Sequence, residues 1–222
     1  MICECAEHGY FTGRACPLCG EEGKLILNNY ETEKVGRTLA AVLRHGKYDL
    51  EMDSEGYVRV KDIVRLIQDR NPRMKWFRPH HIEALVDTDT KGRYQLLGES
   101  IRAMYGHTVN VELNLPTDNV PAVLFKAVPA EDYDALMKNG ILPNERAKVH
   151  LSRTFDDAYR AGLMILEEPM VLAVNTERNA EEGYPVGKAS EKVFLCDKVL
   201  SGALSKAERP SKRYVCADRP EE

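Results

Sequence analysis

Residues 114–123, NLPTDNVPAV, carry two prolines and no hydrophobic period, and the spacing of apolar residues changes from one side of them to the other. On the N-terminal side, Val35, Leu39, Val42 and Leu43 recur at helical spacing within residues 33–44, so one face of a helix is apolar. DSEGYVRVKDIVRLIQ then reads as a turn through Gly56, a short strand holding Val58 and Val60, and a helix with Asp62 as its N-cap. RPHHIEALVDTD opens another helix with Pro79 in its first turn, where His80 and His81 are expected at the surface. The apolar runs at 94–97 and 101–104 are joined by a Gly-bearing turn, which is a hairpin signal. Helices followed by a hairpin suggest a winged-helix lobe. On the C-terminal side, AVLFKAV, KVHLS, MVLAV and KVFLC are strand candidates, and AEDYDALMKNG and TFDDAYRAG are helices closing in Gly140 and Gly162. The expected class is α+β, with one lobe over 29–115, a second over 120–207, and a polar tail over 208–222 in which Cys216 is incidental.

Four of the six cysteines fall in the first twenty residues, where a reducing compartment favours metal binding over disulfides. Cys5-x2-His8 and Cys16-x2-Cys19 are each followed by a glycine. A two-residue spacer turns both side chains of a knuckle toward one tetrahedral ion, and glycine relieves the backbone where it curls. Residues 1–28 therefore read as a structural zinc knuckle, with Cys3 competing with Cys5 as first ligand. Four protein ligands leave no position for water, so the site is assigned no catalysis.

A hydrophobic fraction of 43% over 222 residues is enough for real cores, and a net charge of −4 gives no global field toward nucleic acid. Any phosphate site must be a local cluster. No apolar run approaches the roughly 20 residues of a membrane span, and the N-terminus lacks the order of a signal peptide, so the expectation is a cytoplasmic chain without a membrane partner. The chain holds neither G-x-G-x-x-G nor G-x-x-x-x-G-K-[ST], so Rossmann and P-loop readings lack their phosphate loops.

Three stretches could supply the local cluster. Arg44 and His45 end the first helix, Arg102 and His107 lie in IRAMYGHT, and ERAKVHLS holds Arg146, Lys148, His150 and Ser152. Guanidinium forks suit phosphate oxygens because their donors lie in one plane and stay charged. Taken singly, each is equally readable as a solvated surface cation. Val149 and Leu151 place His150 on the opposite face of its strand, which leaves both a hydrogen-bonded core role and a ligand role open.

LAAVLRHGKYDLEMDSEGYVRV, IRAMYGHT, RAKVHLS and GYPVGKASEKVFLCDKV, in this order, resemble the archaeal NAD-dependent RNA 2′-phosphotransferases, which remove a splice-junction 2′-phosphate from tRNA. CAEHGYFTGRACPLCG is similar to the zinc-binding extension of archaeal members. The resemblance implies a winged-helix lobe followed by an ADP-ribosyltransferase-like lobe, with RNA and NAD meeting between them, in a chain expected to be a monomer. It implies that the 2′-phosphate displaces nicotinamide from NAD. The ribose 2″-OH then attacks that phosphate, releasing 2′-OH RNA and ADP-ribose 1″,2″-cyclic phosphate. Arg44, His45 and Arg102 would hold the transferred phosphate and His107 would fix the turn around it. Phe125, Lys126, Arg146, His150 and Ser152 would lie on the NAD side, Arg146 reaching phosphate at the edge.

Three positions depart from the family pattern. LFKAV stands where the family has L-[YF]-[HY]-G-T, AGLMILEEP lacks the family's Arg near Leu163 or Met164, and Lys148 replaces a histidine. Lys126 and Arg160 are the candidates for restoring the missing charge. These departures keep two rivals open: an RNA-binding or NAD-sensing paralogue without turnover, and a transferase that leaves ADP-ribose on a terminal nucleic-acid phosphate. A plain winged-helix DNA binder fits least, because DIVRLIQDR mixes acidic with basic residues.

Overall fold

A computed structural model of the chain describes residues 1–209. The expected polar tail from residue 210 on, with Cys216, lies outside them. The described chain is mixed α/β, with every strand pairing antiparallel in three separate sheets.

β1 (Ile2–Cys5), β2 (Gly9–Thr12) and β3 (Lys24–Leu27) form the first sheet, in the order β2-β1-β3. Ile2, Ile26 and Leu27 do not stay within it. They join the core built on α1 (Asn29–His45), where Val35, Leu39, Val42 and Leu43 are at most 1% exposed. α1 starts ahead of its apolar stripe because Asn28 and Glu31 form a reciprocal cap. The Asn28 side chain accepts from the Glu31 N–H at 2.9 Å, and the Glu31 carboxylate accepts from the Asn28 N–H at 2.9 Å. Gly46, at φ 59°, ends the helix.

β4 (Val58–Arg59) runs straight into α2 (Val60–Arg70), which corrects the expected start. Val60 is the first helical residue rather than a strand residue, and Asp62 sits in the first turn rather than at the N-cap. Glu99 O takes the Val60 N–H at 2.8 Å, so no side-chain cap is needed, and the Asp62 carboxylate instead accepts from Arg59 Nε at 2.8 Å. α3 (Pro79–Asp87) brings a second correction. His80 is exposed as expected, but His81 is 6% exposed, stacked on Phe77, with Nδ1 accepting from the Arg78 N–H at 2.9 Å. β5 (Tyr94–Leu97) and β6 (Ser100–Ala103) are the expected hairpin, turning through Gly98 at φ 56°, and β4 adds to it in the order β4-β6-β5.

β7 (Val123–Pro129), α4 (Tyr133–Asn139), β8 (Val149–Ser152), α5 (Phe155–Gly162), β9 (Pro169–Asn175), α6 (Thr176–Glu181), β10 (Gly187–Lys188), β11 (Val193–Cys196) and β12 (Leu204–Lys206) follow. Their six-stranded sheet runs β10-β11-β8-β7-β9-β12 over a second core that includes Leu124, Leu151, Leu172, Val174 and Phe194. Gly140 caps α4 at φ 78°. Gly162 does not act as a left-handed cap: it is the last residue of α5, and Leu163 follows as the cap. Its role is close approach, since a Cβ there would lie 2.7 Å from the Cβ atoms of both Ala127 and Pro169.

The proline segment precedes β7 without regular structure, yet its start is fastened to the surroundings of both cores. The Glu112 N–H donates to Ser54 O, and the Lys188 N–H to Pro116 O, each at 2.8 Å. The two cores therefore meet across a backbone strap.

Candidate functional site

The C-terminal turn of α1 points Arg44 away from the helix's apolar face and over the Tyr105 ring, 5.2 Å from its centroid. Gly106, at φ 88°, lets the loop after β6 lie on this guanidinium, for a Cβ at that position would come within 3.2 Å of Arg44 Cζ. Nε and Nη2 of Arg44 are buried without a hydrogen-bond partner. So is Nε2 of His107, in the next residue of the loop. Leaving the two Arg44 donors unpaired is costly, which suits this corner to a group that accepts from them.

Arg102 reaches the same corner from β6. It is 6% exposed and held from three sides: Nε donates to Gln95 Oε1 at 2.9 Å, Nη1 pairs with Glu55 at 3.3 Å, and the Tyr57 ring lies 4.6 Å from the guanidinium carbon. His45 is exposed, with Nδ1 3.0 Å from Thr108 Oγ1. Burial first, then the positive charges of Arg44, Arg102 and His45, hold His107 down to about 4. His107 is therefore neutral at neutral pH, under the positive charges of two guanidinium groups.

His150 enters from β8. Its Nε2 accepts from the Gly106 N–H at 3.0 Å, so the ring proton sits on Nδ1, which donates to Lys148 O at 2.9 Å. Burial, then Arg146, Lys126 and Arg44, push His150 down to about 3. The Ala147 N–H donates to His107 O at 2.9 Å, so residues 106–107 and 147–150 are laced together. They line a narrow cleft with Val111 and Leu195.

β7 and β8 pair in register only at Phe125 and Ser152, whereas β7 pairs with β9 from Val123 to Pro129. Lys126 follows that single link, and burial and then Arg146 lower its pKa. Among the described residues, neither Lys126 nor Arg146 makes an ion pair, while Lys148 pairs with Asp197 at 2.6 Å. Phe125 turns the other way, its ring meeting Phe155 of α5 edge-on at 6.3 Å. The charges acting on His150 are thus all positive, a field that suits phosphate groups.

The family model described as "RNA 2'-phosphotransferase, Tpt1 / KptA family" matches residues 30–198, a span holding every one of these groups. The chain belongs to that family. A protein of Thermoplasma acidophilum named "Probable RNA 2'-phosphotransferase" is 39% identical over 204 residues, covering 90% of this chain and 86% of its own. Proteins with the same name from Methanosarcina mazei and Pyrococcus furiosus are 37% and 36% identical, covering 90% and 78% of this chain and 95% and 93% of their own.

The positive charges of Arg44 and Arg102 act on His107, and those of Arg146, Lys126 and Arg44 act on His150, while His107 and His150 line the same narrow cleft. Ser152 lies on the same strand face as His150, one step further along. Arg160 is exposed on α5 and is not among the charges that act on His150 or Lys126. Tyr105, Glu55 and Gln95, which fix the two arginines, carry no sequence signal, because each works across a tertiary contact.

Outside the family match, Cys5, His8, Cys16 and Cys19 place one ligand atom each within 4.8 Å of the others. Cys5 Sγ lies 3.8 Å from Cys19 Sγ, and His8 Nδ1 lies 3.4 Å and 3.6 Å from the sulfurs of Cys5 and Cys16. A tetrahedral zinc with ordinary bond lengths separates sulfur ligands by about 3.8 Å, and sulfur from nitrogen by about 3.5 Å. The donor set fits. Cys3 is buried beside Phe11 and Gly23 instead. No helix among the described residues is long and apolar enough to cross a membrane.

Proposed function

We propose that this chain is an NAD-dependent RNA 2′-phosphotransferase acting on a 2′-phosphate of the tRNA splice-junction kind. The observation that carries the reading is the pair of unpartnered, buried nitrogens on Arg44, whose guanidinium lies against Gly106 in the loop that leads into His107. The RNA lobe would be the winged-helix unit of residues 29–115, the NAD lobe the ADP-ribosyltransferase-like unit of 120–207, and residues 1–28 a zinc knuckle.

Bound NAD supplies an electrophilic ribose carbon with a good leaving group, so the protein need only position an anion and offset its charge. Arg44 holds the 2′-phosphate through the donors left free, on a floor of Tyr105. Arg102, fixed by Gln95 and Glu55, presents its remaining charge without reorganising, and His45 closes the edge. His150 stays neutral and serves as an acceptor that pins Gly106, keeping the two lobes in register. Lys126 and Arg146 supply uncompensated charge for the NAD phosphates, and Phe125 and Ser152 shape the strand pair behind them. Of the two candidates for the missing family arginine, Lys126 lies within the charged cluster, and it offers a point charge in place of a fork.

The test is incubation with NAD and a short RNA carrying an internal 2′-phosphate, following nicotinamide release and phosphate loss together. Loss of phosphate that requires both NAD and Arg44 is expected. Tight RNA binding without nicotinamide release would support the paralogue reading favoured by Lys126 and Ala127. A stable ADP-ribosylated RNA would reassign the chain as a transferase that stops after its first step.

A further inference from the structure

We infer that the exposed side of α1 carries a groove for the single-stranded RNA that flanks the reacting nucleotide. Tyr30, Lys34, Arg37 and His45 share the stripe of α1 opposite Val35, Leu39 and Val42, so the stripe leads directly to the phosphate corner. Beside it lies a depression of about 300 Å³, lined by Tyr30, Glu33, Lys34, Arg37, Thr38 and Tyr48. Two aromatic rings flank it, Tyr30 69% and Tyr48 40% exposed.

Each ring has a cation over it: Lys34 Nζ is 5.6 Å from the Tyr30 centroid, and Arg70 Cζ is 4.5 Å from that of Tyr48. The acidic residue in the lining, Glu33, is neutralised by Arg37. Exposed rings interleaved with cations are what stacked bases and their phosphates require.

The backbone adds an independent observation. Tyr48 and Asp49 sit at φ 75° and φ 51°, a left-handed region that a bulky side chain adopts only under strain. Burying Tyr48 cannot be what holds the strain, since its ring is partly in solvent. In this conformation Tyr48 lines the groove together with Tyr30, Lys34 and Arg37 of α1. By chain length alone Tyr48 lies within about 11 Å of His45. Lys34 lies about 16 Å back along the helix from His45. A strand leaving the phosphate corner reaches both within a few nucleotides.

This inference rests on the phosphotransferase reading, and the experiment separates the two. Binding of a labelled octameric RNA without 2′-phosphate is measured by fluorescence anisotropy. Turnover is compared on a dinucleotide and an octamer, each with one internal 2′-phosphate. Tyr30→Ala with Tyr48→Ala should weaken octamer binding about tenfold or more, from the usual worth of base stacking on a ring. It should lower kcat/KM on the octamer similarly and leave the dinucleotide unchanged. The paired Tyr→Phe variants should retain both properties, and Lys34→Glu with Arg37→Glu should weaken binding without touching either ring. Octamer binding and turnover unaltered by both the alanine and the charge-reversal variants would overturn the groove, as would a wild-type protein that does not bind the octamer. Tyrosine-dependent binding without any turnover would leave the groove standing and remove the phosphotransferase reading.

Discussion

Arg44 illustrates how much of a site can rest on one side chain that the protein leaves unfinished. Its guanidinium is buried, backed by Tyr105, and two of its nitrogens have no protein acceptor. Arg44→Lys should therefore lose nearly as much 2′-phosphate removal as Arg44→Ala, about a hundred- to a thousand-fold, because an ammonium cannot reproduce the fork. A lysine variant within a few-fold of wild type in single-turnover rate would contradict this role. The two depressed histidines make a separate prediction about acid. Free histidine takes its proton near pH 6.5, whereas the folded chain resists protonation until about 4 at His107 and about 3 at His150. Between those values the unfolded state binds more protons, so the contribution of these two groups to stability is fully present above about pH 6.5 and is lost as pH falls through about 4 at His107 and about 3 at His150. Denaturant midpoints taken at pH 7, 6, 5 and 4.5 should show the decline, and His150→Gln should make it shallower. An unchanged slope in that variant would mean that other groups carry the effect.

At the scale of elements, strand and helix positions follow the periodicities of the sequence, while their ends follow contacts that periodicity does not contain. The Val35, Leu39, Val42 and Leu43 stripe announces α1, yet the helix begins at Asn29 because Asn28 and Glu31 cap each other. Asp62 looks like a cap, but Glu99, a residue of the distant hairpin, satisfies the Val60 N–H and α2 starts three residues sooner, with Arg59 at the N-cap. Gly162 looks like a helix stop and is instead the place where α5 touches Ala127 and Pro169. Gly162→Ala should then cost about 1–3 kcal/mol as an overpacking change, read as a lower denaturant midpoint with an unchanged slope. A neutral result would show that α5 can move away from β7 without loss. The burial of His81 is illegible in the sequence for the same kind of reason, since nothing in RPHH shows that Phe77 will stack on it.

At the scale of the whole molecule, the N-terminal sheet and the helical core form one packed body, because Ile2, Ile26 and Leu27 are shared between them. If residues 1–28 hold the zinc proposed above, its removal should therefore lower the thermal midpoint of the entire first core as well as release residues 1–28. Cys16→Ser or chelation should do this together with the loss of bound zinc, leaving the turnover rate of the remaining folded protein unchanged, because four protein ligands leave no position for substrate. A fall in single-turnover rate at a temperature well below the midpoint would tie the zinc to the chemistry instead. Sequence alone determined the α+β class, the Cys/His spacings, the hairpin and the motifs that carry the family, since each of these depends on residue types at short separations. Tertiary structure alone decided that the charges of Arg44 and Arg102 act on His107, that His150 bonds to Gly106 across the strap, and that Lys126 is buried without an ion pair under the charge of Arg146. Those groups lie up to about a hundred residues apart, and what joins them is the burial of two cores against one backbone segment, which no local pattern of residues encodes.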